Sequence, residues 1–332
     1  MKRIKSILLK TFGIGVAVFA GFAVSTAVFA APSYPNKPVR LIVTFAPGGG
    51  ADIGARVIAA KLSGRLGHQV IVENIAGGGG VIATERVAKS DPDGQTLLYS
   101  TAANTIQAAL LDQKLPFDPV KSFTPVAKLV MGAYALVVNP SVPATSVKDL
   151  IALAKQKPGQ LNFGTSGFGA TPHMATEFLK VRASIDVKIV HFKGQGPALI
   201  DLLGGHSHAQ INSIPSFLPH VKSGKLRMLG VAAGKRTASL PDVPTIAEAG
   251  IPGYEVSTWY GVLAPAGTPV PIVNRLDKEL KTILALEDIR NHFLADGQEV
   301  SYLGPTEFGA FFEGEITNWK RVIKNANLTL EQ

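Results

Sequence analysis

Short apolar runs of four to seven residues alternate along the chain with longer stretches in which apolar residues recur every three or four positions. The first run, at 39–43, leads through a glycine-rich turn into a stretch with helical spacing at 53–66. Similar turns follow the runs at 69–73 and 161–164. Strands that alternate with helices at this spacing predict a parallel sheet, in which ligands bind at the carboxyl ends of the strands.

The same reading along the whole chain predicts the individual elements. Strands are expected at 39–43, 69–73, 96–100, 133–138, 161–164, 187–192, 209–213, 226–231 and 258–264. Helices are expected at 53–66, 81–89, 146–156, from Pro172 onward, at 197–203, at 270–296 with a break near Glu287, and at 305–325. The strand at 96–100 ends in a polar cluster at 101–104, and the segment 117–125 is expected to be a connecting loop.

This order of elements indicates two α/β domains that are joined by crossings near residues 135–140 and 245–258. We expect domain 1 to be discontinuous, with residues 31–136 and 250–332, and domain 2 to comprise residues 137–249. The helices near the C-terminus would pack back on domain 1. Two glycine loops, at 47–52 and 164–171, would then face each other across a cleft.

The first thirty residues have the features of a secretory signal peptide. Residues 1–5 are basic, residues 11–31 carry no charge, and small residues before and after Ala30 suit a signal peptidase. We expect cleavage after about Ala30 and a periplasmic location. A retained membrane anchor is the alternative, because the uncharged run is long enough to span a bilayer.

Composition narrows the class of function. Removal of residues 1–30 lowers the formal charge from +9 to +5, and the remaining Lys and Arg are scattered, whereas a nucleic-acid-binding protein needs a clustered basic face. The chain has no cysteine, which excludes a disulfide scaffold, thiol catalysis and a lipid-modified N-terminal cysteine. Its length and its 46% of hydrophobic residues allow two domains with substantial cores.

The turn at 44–52, with the sequence Thr-Phe-Ala-Pro-Gly-Gly-Gly-Ala-Asp, is the first candidate for a binding site. Asp52 is expected to cap the helix that begins at Ile53. The backbone N–H groups of such a loop, beside the positive end of a helix, bind anions. We therefore expect the loop to hold the carboxylate of a small solute.

Nucleotide-binding motifs do not account for these glycines. Residues 78–83 fit G-x-G-x-x-A, but the next strand ends in Ser100 and Thr101 rather than in an acidic residue for a ribose. The opening loop has Ile53 where the third glycine would stand, and neither loop continues as Gly-Lys-Ser/Thr. Dinucleotide and ATP binding are therefore not expected.

Nucleophilic and metal chemistry are weaker hypotheses. The segment 164–168 resembles a nucleophile elbow, but Phe168 stands where that motif requires glycine, so Ser166 is expected to act as a hydroxyl donor. His173 has either a ligand contact or a structural role. His206 and His208 lack a partner at metal-ligand spacing, which favours a surface turn.

Three further side chains have open roles. Lys193 either pairs with a second carboxylate or is solvated, as most lysines are. Trp259 and Tyr260 either line the cleft or pack in the core.

Several motifs occur in one order along the chain. They are Tyr-Pro-Asn-Lys-Pro-Val-Arg at 34–40, Pro-Gly-Gly-Gly-Ala-Asp at 47–52, the loop 74–80, Asp-Pro-Asp-Gly at 91–94, Gly-Thr-Ser-Gly at 164–167, Lys-Gly-Gln-Gly-Pro-Ala at 193–198, Asp-Leu-Leu-Gly-Gly at 201–205 and Leu-Pro-Asp-Val-Pro-Thr at 240–245. In this order they resemble the tripartite tricarboxylate transporter receptors, which are periplasmic solute-binding proteins of the TctC or Bug type. The resemblance covers essentially the whole mature chain. It implies an α/β, two-domain periplasmic-binding-protein-like (type II) architecture whose cleft between the domains closes on a ligand.

The resemblance also implies which residues hold a ligand carboxylate. The first wall would consist of Phe45, Pro47, Gly48, Gly49, Gly50, Ala51 and Asp52, with Ser100 and Thr101 beside them. The opposite wall would consist of Thr165, Ser166, Gly167, Thr171 and His173, bounded by Lys193 and Gly194 or by the strand end at Asn212 and Ser213. Thr171 stands where members commonly have serine, and Ser207 and His208 stand where many have an acidic residue, so the ligand is not fixed by the resemblance.

The leading hypothesis is a periplasmic receptor that captures a small organic carboxylate by domain closure and delivers it to integral-membrane transporter subunits. The ligand would be a di- or tricarboxylate, an aromatic acid or an amino acid. We expect a monomer with no catalysis, cofactor, metal or nucleic acid. The alternatives are a ligand sensor for a signalling partner and a hydrolase or lyase that uses Ser166 and His173, although no third residue is placed to orient the histidine.

Overall fold

In the computed structural model, which describes residues 34–111 and 114–325, strands and helices alternate along most of the chain. The strands are β1 (Val39–Val43), β2 (Val70–Asn74), β3 (Thr96–Thr101), β4 (Phe123–Val138), β5 (Asn162–Thr165), β6 (Lys188–His191), β7 (Ala209–Ser213), β8 (Arg227–Val231), β9 (Ser257–Pro265) and β10 (Gln298–Leu303). The helices are α1 (Gly50–Leu66), α2 (Val81–Ala88), α3 (Ala102–Leu111), α4 (Val147–Gln156), α5 (Thr171–Ala183), α6 (Gln195–Leu203), α7 (Leu218–Lys222), α8 (Val270–Leu284), α9 (Glu287–Ala295) and α10 (Pro305–Asn325).

The long strand β4 joins two halves of the sheet, whose main order is β2-β1-β3-β9-β4-β7-β5-β6. Up to Ala133, which lies opposite Ser257, β4 pairs with β9 and β10. From Tyr134 onward it pairs with β7 and β8. We call the half with β1, β2, β3, β9 and β10 lobe 1, and the half with β5, β6, β7 and β8 lobe 2.

The predicted parallel pairing is confirmed in the outer part of each lobe. In lobe 1, β1 pairs in parallel with β2 and β3, and in lobe 2, β5 pairs in parallel with β6 and β7. The central strands β4 and β9 run antiparallel to their neighbours, so the sheet is mixed. Because β1, β3, β5 and β6 each lead into a helix, their carboxyl ends bring four helix N-termini to the region between the lobes.

Each lobe has its own apolar core. In lobe 1, buried residues such as Leu41, Ile58 and Val262 pack with α8 and α9, and α10 covers Trp259 on the other face. In lobe 2, Phe163 and Ile211 belong to the corresponding cluster. The helices near the C-terminus therefore complete lobe 1.

Several elements differ from the sequence-based expectation. The strand predicted at 133–138 begins ten residues earlier, at Phe123, within the segment 117–125 that was expected to be a loop. The polar cluster at 101–104 forms the end of β3 and the start of α3, a helix that was not predicted. The strand β10 was not predicted. Helix α1 begins at Gly50 with Gly49 as its N-cap, so the prediction of Asp52 as the cap is wrong.

Within residues 34–111 and 114–325, no helix combines the length and the apolar character that crossing a bilayer requires. The predicted signal peptide and the cleavage site after Ala30 lie outside the described residues.

Candidate functional site

A cavity lies between the two lobes, at the carboxyl ends of β1, β3, β5 and β7. The centres of water molecules can occupy about 30 Å³ of it. It is lined by Phe45, Ala46, Gly49, Gly50, Ala51, Asp52, Thr101, Ala103, Tyr134, Ser166, Thr171, Pro172, Gln195, Asn212, Ser213, Thr258 and Tyr260.

Four helices begin at the walls of this cavity. The first residues of α1, α5 and α6 line it, as do Thr101 and Ala103 at the start of α3. The first turn of a helix leaves its N–H groups without internal acceptors and carries a partial positive charge. Among the described residues that line the cavity there is no Lys, Arg or His, so these helix ends are its main source of positive potential.

Asp52 shapes the loop that precedes α1. Its Oδ2 accepts a hydrogen bond from the N–H of Gly48 at 3.0 Å, and its Oδ1 accepts one from Nε of Arg56 at 3.0 Å. Burial raises the pKa of this carboxyl, but the hydrogen bonds from Arg56, Gly48 and Asn74 outweigh burial, and the pKa is lower than usual for aspartate. The ionised carboxylate therefore fixes the loop from within the first turn.

The opposite wall is rich in hydroxyl groups. Ser166 Oγ accepts a hydrogen bond from Nδ2 of Asn212 at 2.9 Å. Burial raises the pKa of Tyr134, with hydrogen bonds to Thr258 and Thr171 opposing the rise. Burial and the neighbouring tyrosines also raise the pKa of Tyr260. Both phenols are therefore neutral at ordinary pH.

Gln195, the first residue of α6, connects the two walls. Its Oε1 accepts hydrogen bonds from the N–H of Gly50 at 3.2 Å and from Oγ of Ser213 at 2.5 Å. Its Nε2 donates to the carbonyl oxygen of Ser213 at 2.8 Å. The side chain of a lobe 2 residue thus reaches the N-terminus of a lobe 1 helix.

Other contacts also hold the lobes together around the cavity. The N–H of Ala46 donates to the carbonyl of Lys193 at 3.1 Å, and Ser216 Oγ donates to the carbonyl of Gly48 at 2.8 Å. On the other side, Gln107 Nε2 donates to the carbonyl of Phe168 at 2.8 Å. These direct contacts hold the two walls of the cavity close together.

Two histidines lie behind the lobe 2 wall. The Nδ1 of His173 accepts a hydrogen bond from the N–H of Gly169 at 2.9 Å, and His191 Nδ1 lies 2.8 Å from Thr165 Oγ1. The two rings meet edge to face, with their centroids 4.7 Å apart. Loss of hydration and the neighbouring His173 lower the pKa of His191 to about 4, against an opposing effect of Glu177. These histidines support the loop that carries Ser166.

The structure places about half of the predicted site residues in the lining of the cavity. They are Phe45, Gly49, Gly50, Ala51, Asp52, Thr101, Ser166, Thr171 and Asn212. The others, Pro47, Gly48, Ser100, Thr165, Gly167, His173, Lys193 and Gly194, do not line it.

The residues outside the lining make contacts of their own. Ser100 bonds to Asn104, and Gly167 packs against lobe 1 at Gly79. Lys193 has an exposed side chain. A Cβ atom at Gly194 would lie 2.8 Å from the nitrogen of Ala46, so this glycine allows close approach of the lobes.

Six of the lining residues were not predicted from the sequence: Ala46, Ala103, Tyr134, Pro172, Gln195 and Thr258. Tyr134 and Thr258 lie on β4 and β9, where the strands cross between the lobes, and no local motif marks that point. Gln195 has a sequence signal, because it stands between two glycines, two residues before the predicted helix at 197–203. Tyr260 and Ser213, whose roles were open, also line the cavity.

The chain is similar to known proteins both in sequence and in structure. Residues 54–328 match the model of the tripartite tricarboxylate transporter family receptor. The structure of Rpa4515 of R. palustris with adipate is 37% identical, with a TM-score of 0.85 over 89% of this chain and 98% of that one. MatC (Rpa3494) of Rhodopseudomonas palustris with bound malate is 33% identical, with a TM-score of 0.82 over 87% and 100%. The periplasmic binding protein BugD is 31% identical, with a TM-score of 0.85 over 89% and 99%.

Proposed function

The chain belongs to the tripartite tricarboxylate transporter receptor family, a family of periplasmic solute-binding proteins, and we propose that it binds a small carboxylate in the cavity between its lobes for delivery to membrane transporter subunits. Its two-domain α/β fold is the fold of the periplasmic binding proteins that it resembles. The observation that carries the proposal is the meeting of four helix N-termini at a cavity whose described lining contains no cationic side chain.

Backbone amides at a helix N-terminus suit a carboxylate for a physical reason. They remain protonated at all ordinary pH values and are already oriented, so they bind an anion with little reorganisation. In α1, the N–H of Gly50 is taken by Gln195. The N–H groups of Ala51 and Asp52, which precede the first internal hydrogen bond of the helix, are the donors that we assign to the ligand. Each charge-assisted hydrogen bond would contribute roughly 1.5–3 kcal/mol.

The second wall supplies hydroxyl and amide partners. We assign Thr101, Ser166, Thr171 and Asn212 to the ligand, because all four line the cavity opposite or beside α1. Adipate and malate, bound by two of the similar proteins, are dicarboxylates. A ligand of that kind would extend its far end toward the hydroxyl of Tyr134.

A catalytic role for Ser166 and His173 is disfavoured by their hydrogen bonds. The Nδ1 of His173 accepts from Gly169, and its Nε2 lies 3.8 Å from a carboxylate oxygen of Glu177. Ser166 Oγ is bonded to Asn212 instead. A histidine that activates a serine must be within hydrogen-bond reach of it, so we propose binding without turnover.

Isothermal titration calorimetry tests the proposal. The panel would hold malate, succinate, adipate, citrate, benzoate and aspartate, with succinamide as the uncharged match for succinate. We expect at least one acid to bind with 1:1 stoichiometry and succinamide not to bind. Absence of binding by every acid, together with a neutral compound that co-purifies with the protein, would show that the carboxylate assignment is wrong.

Two finer points complete the proposal. We propose that the exported chain begins after about Ala30 and acts as a monomer. Intact-mass measurement of protein purified from the periplasm would locate the cleavage, and light scattering would give the oligomeric state. A mass that retains residues 1–30 would contradict the first point, and a dimer would contradict the second.

A further inference from the structure

The orientation of the Gln195 amide is determined by its partners. Gly50 offers an N–H, which requires an acceptor, and the carbonyl oxygen of Ser213 requires a donor. The side-chain oxygen must therefore face Gly50 and the side-chain nitrogen must face Ser213. Gln195 is only 4% exposed, so water cannot replace these bonds in the closed arrangement.

The bond between Gln195 and Gly50 depends on a very close approach of the lobes. The next residue, Gly196, lies so close to lobe 1 that a Cβ atom there would be 2.1 Å from the carbonyl oxygen of Pro47. A Cβ atom at Gly49 would lie 3.2 Å from Cβ of Gln195. The start of α6 therefore packs directly on the loop before α1, and any separation of the lobes breaks this bond.

We propose that Gln195 is a positioning residue of the ligand site: it transmits lobe closure to the N-terminus of α1, so that ligand affinity depends on a hydrogen bond that the ligand does not make. This inference rests on the proposed function. The Gln195 oxygen occupies the Gly50 donor and holds the first turn of α1 in place, while Ala51 and Asp52 present their N–H groups to the ligand. Opening of the lobes releases Gly50 and removes this restraint.

The substitution Gln195→Glu gives a test that a purely structural role would not satisfy. An ionised Glu at this position repels a carboxylate ligand and cannot donate to the carbonyl of Ser213, whereas a protonated Glu has the same donor and acceptor as Gln. We expect the affinity for malate or adipate to fall at least tenfold relative to the unsubstituted protein at pH 8. The loss of affinity should be smaller at pH 5.5. Because the affinities of the two proteins are compared at the same pH, protonation of the ligand itself affects both equally.

The substitution Gly196→Ala tests the dependence on closure without altering Gln195. Its backbone φ is in the ordinary range, so the added methyl group acts only through contact with Pro47. We expect at least a tenfold loss of affinity with little change in the urea unfolding midpoint. Gly64→Ala is the matched control, because a Cβ atom at Gly64 on α1 meets nothing within 4 Å.

The outcomes separate this inference from the proposed function. Wild-type affinity in both Gln195→Glu at pH 8 and Gly196→Ala would overturn the role of Gln195 and leave carboxylate binding intact. If the unsubstituted protein binds no acid, the proposed function fails. Hydrogen exchange of the Gly50 amide then tests the hydrogen bond between Gln195 and Gly50 by itself. Exchange should be faster in Gln195→Leu than in Gly64→Ala, and equal rates would overturn the inference.

Discussion

At the residue scale, the ion pair of Asp52 and Arg56 holds the loop of the candidate site. The pair sits in the first turn of α1, where the carboxylate also binds the N–H of Gly48. Substitution Asp52→Asn removes the charge but keeps the size. Since hydrogen bonds to charged groups contribute roughly 1.5–3 kcal/mol each, we expect the free energy of unfolding to fall by about 1–3 kcal/mol in urea titrations at pH 7.

The control for this variant is Asp93→Asn. Asp93 pairs with Lys37 at 3.3 Å, with side chains 43% and 61% exposed, and exposed pairs contribute little. The pKa of Asp52 is lowered in the folded state, so its stabilisation is present above the ordinary aspartate pKa of about 3.9 and is lost as the pH falls below it. The difference between Asp52→Asn and the unsubstituted protein should therefore shrink toward pH 3. A difference that persists there would contradict a charge effect.

His191 provides a second pH-dependent test. Its pKa of about 4 in the folded state lies below the ordinary value of about 6.5. Between these values the unfolded chain binds a proton that the folded chain does not, so stability falls as the pH is lowered from 6.5 to 4. We expect His191→Gln to lose less stability than the unsubstituted protein over this range, as measured by urea midpoints. Parallel slopes for the two proteins between pH 7 and 8 are the internal control, and parallel slopes between pH 6.5 and 4 would contradict the assignment.

Residues of the site differ in how well the sequence predicts their position. Gly49, Gly50 and Ala51 were predictable, because a glycine turn between a strand and a helix has a local sequence signal. Tyr134 and Thr258 were not, because they enter the cavity only where β4 and β9 cross between the lobes. Their role depends on long-range strand pairing that no local pattern encodes.

At the scale of elements, two glycines of α1, Gly50 and Gly64, are expected to respond in opposite ways to substitution by alanine. A Cβ atom at Gly50 would lie 2.3 Å from Ser213 Oγ, in the other lobe, whereas Gly64 is in open space. We expect Gly50→Ala to abolish measurable ligand binding, because the methyl group separates the lobes at the site. Gly64→Ala should keep binding and raise the free energy of unfolding by about 0.5–1 kcal/mol, since alanine favours helix. Calorimetry and urea unfolding of both variants provide the test, and normal binding by Gly50→Ala would contradict the contact.

Elements were missed where their local signals were weak. Helix α3 begins at Ala102, directly after β3, and its first turn contains Asn104, whose side chain accepts from the N–H of Thr101. Polar residues of this kind favour turns and helix starts alike, so the sequence did not predict a helix there. The first part of β4 contains Pro125 beside an irregularity in its pairing with β9, which is where a strand tolerates proline. Only the partner strands identify this segment as part of the sheet.

At the scale of the whole molecule, the change of partners along β4 at Ala133 and Tyr134 separates the lobes. The alternation of strands and helices was enough to predict two α/β units, because local patterns of apolar residues reveal that alternation. Their division into residues 31–136 with 250–332 and residues 137–249 stays a prediction. The contacts across the cleft could not be predicted from the sequence. Among them are the hydrogen bonds of Gln195 to Gly50 and of Gln107 to Phe168.

These contacts lead to a test of closure by a reversible cross-link. Because the chain has no cysteine, the double substitution Gly49→Cys and Gln195→Cys introduces one pair. A Cβ atom at Gly49 would lie 3.2 Å from Cβ of Gln195, close to the spacing of about 3.5–4.5 Å in disulfides, and a small separation of the lobes would accommodate the bond. We expect the oxidised protein to retain labelled malate or adipate during gel filtration, when the acid is added before oxidation at a concentration high enough to offset the loss of affinity caused by removing Gln195.

The same double variant after reduction is its own control, because both states lack Gln195 and differ only in the bond. Reduction should restore exchange of the label, and the acid added after oxidation should not enter. The expectation follows from the lobe-to-lobe contacts that hold the walls of the cavity together. Equal exchange in the oxidised and reduced states would mean that the ligand passes without separation of α6 from the loop before α1, and that closure at this point does not control access.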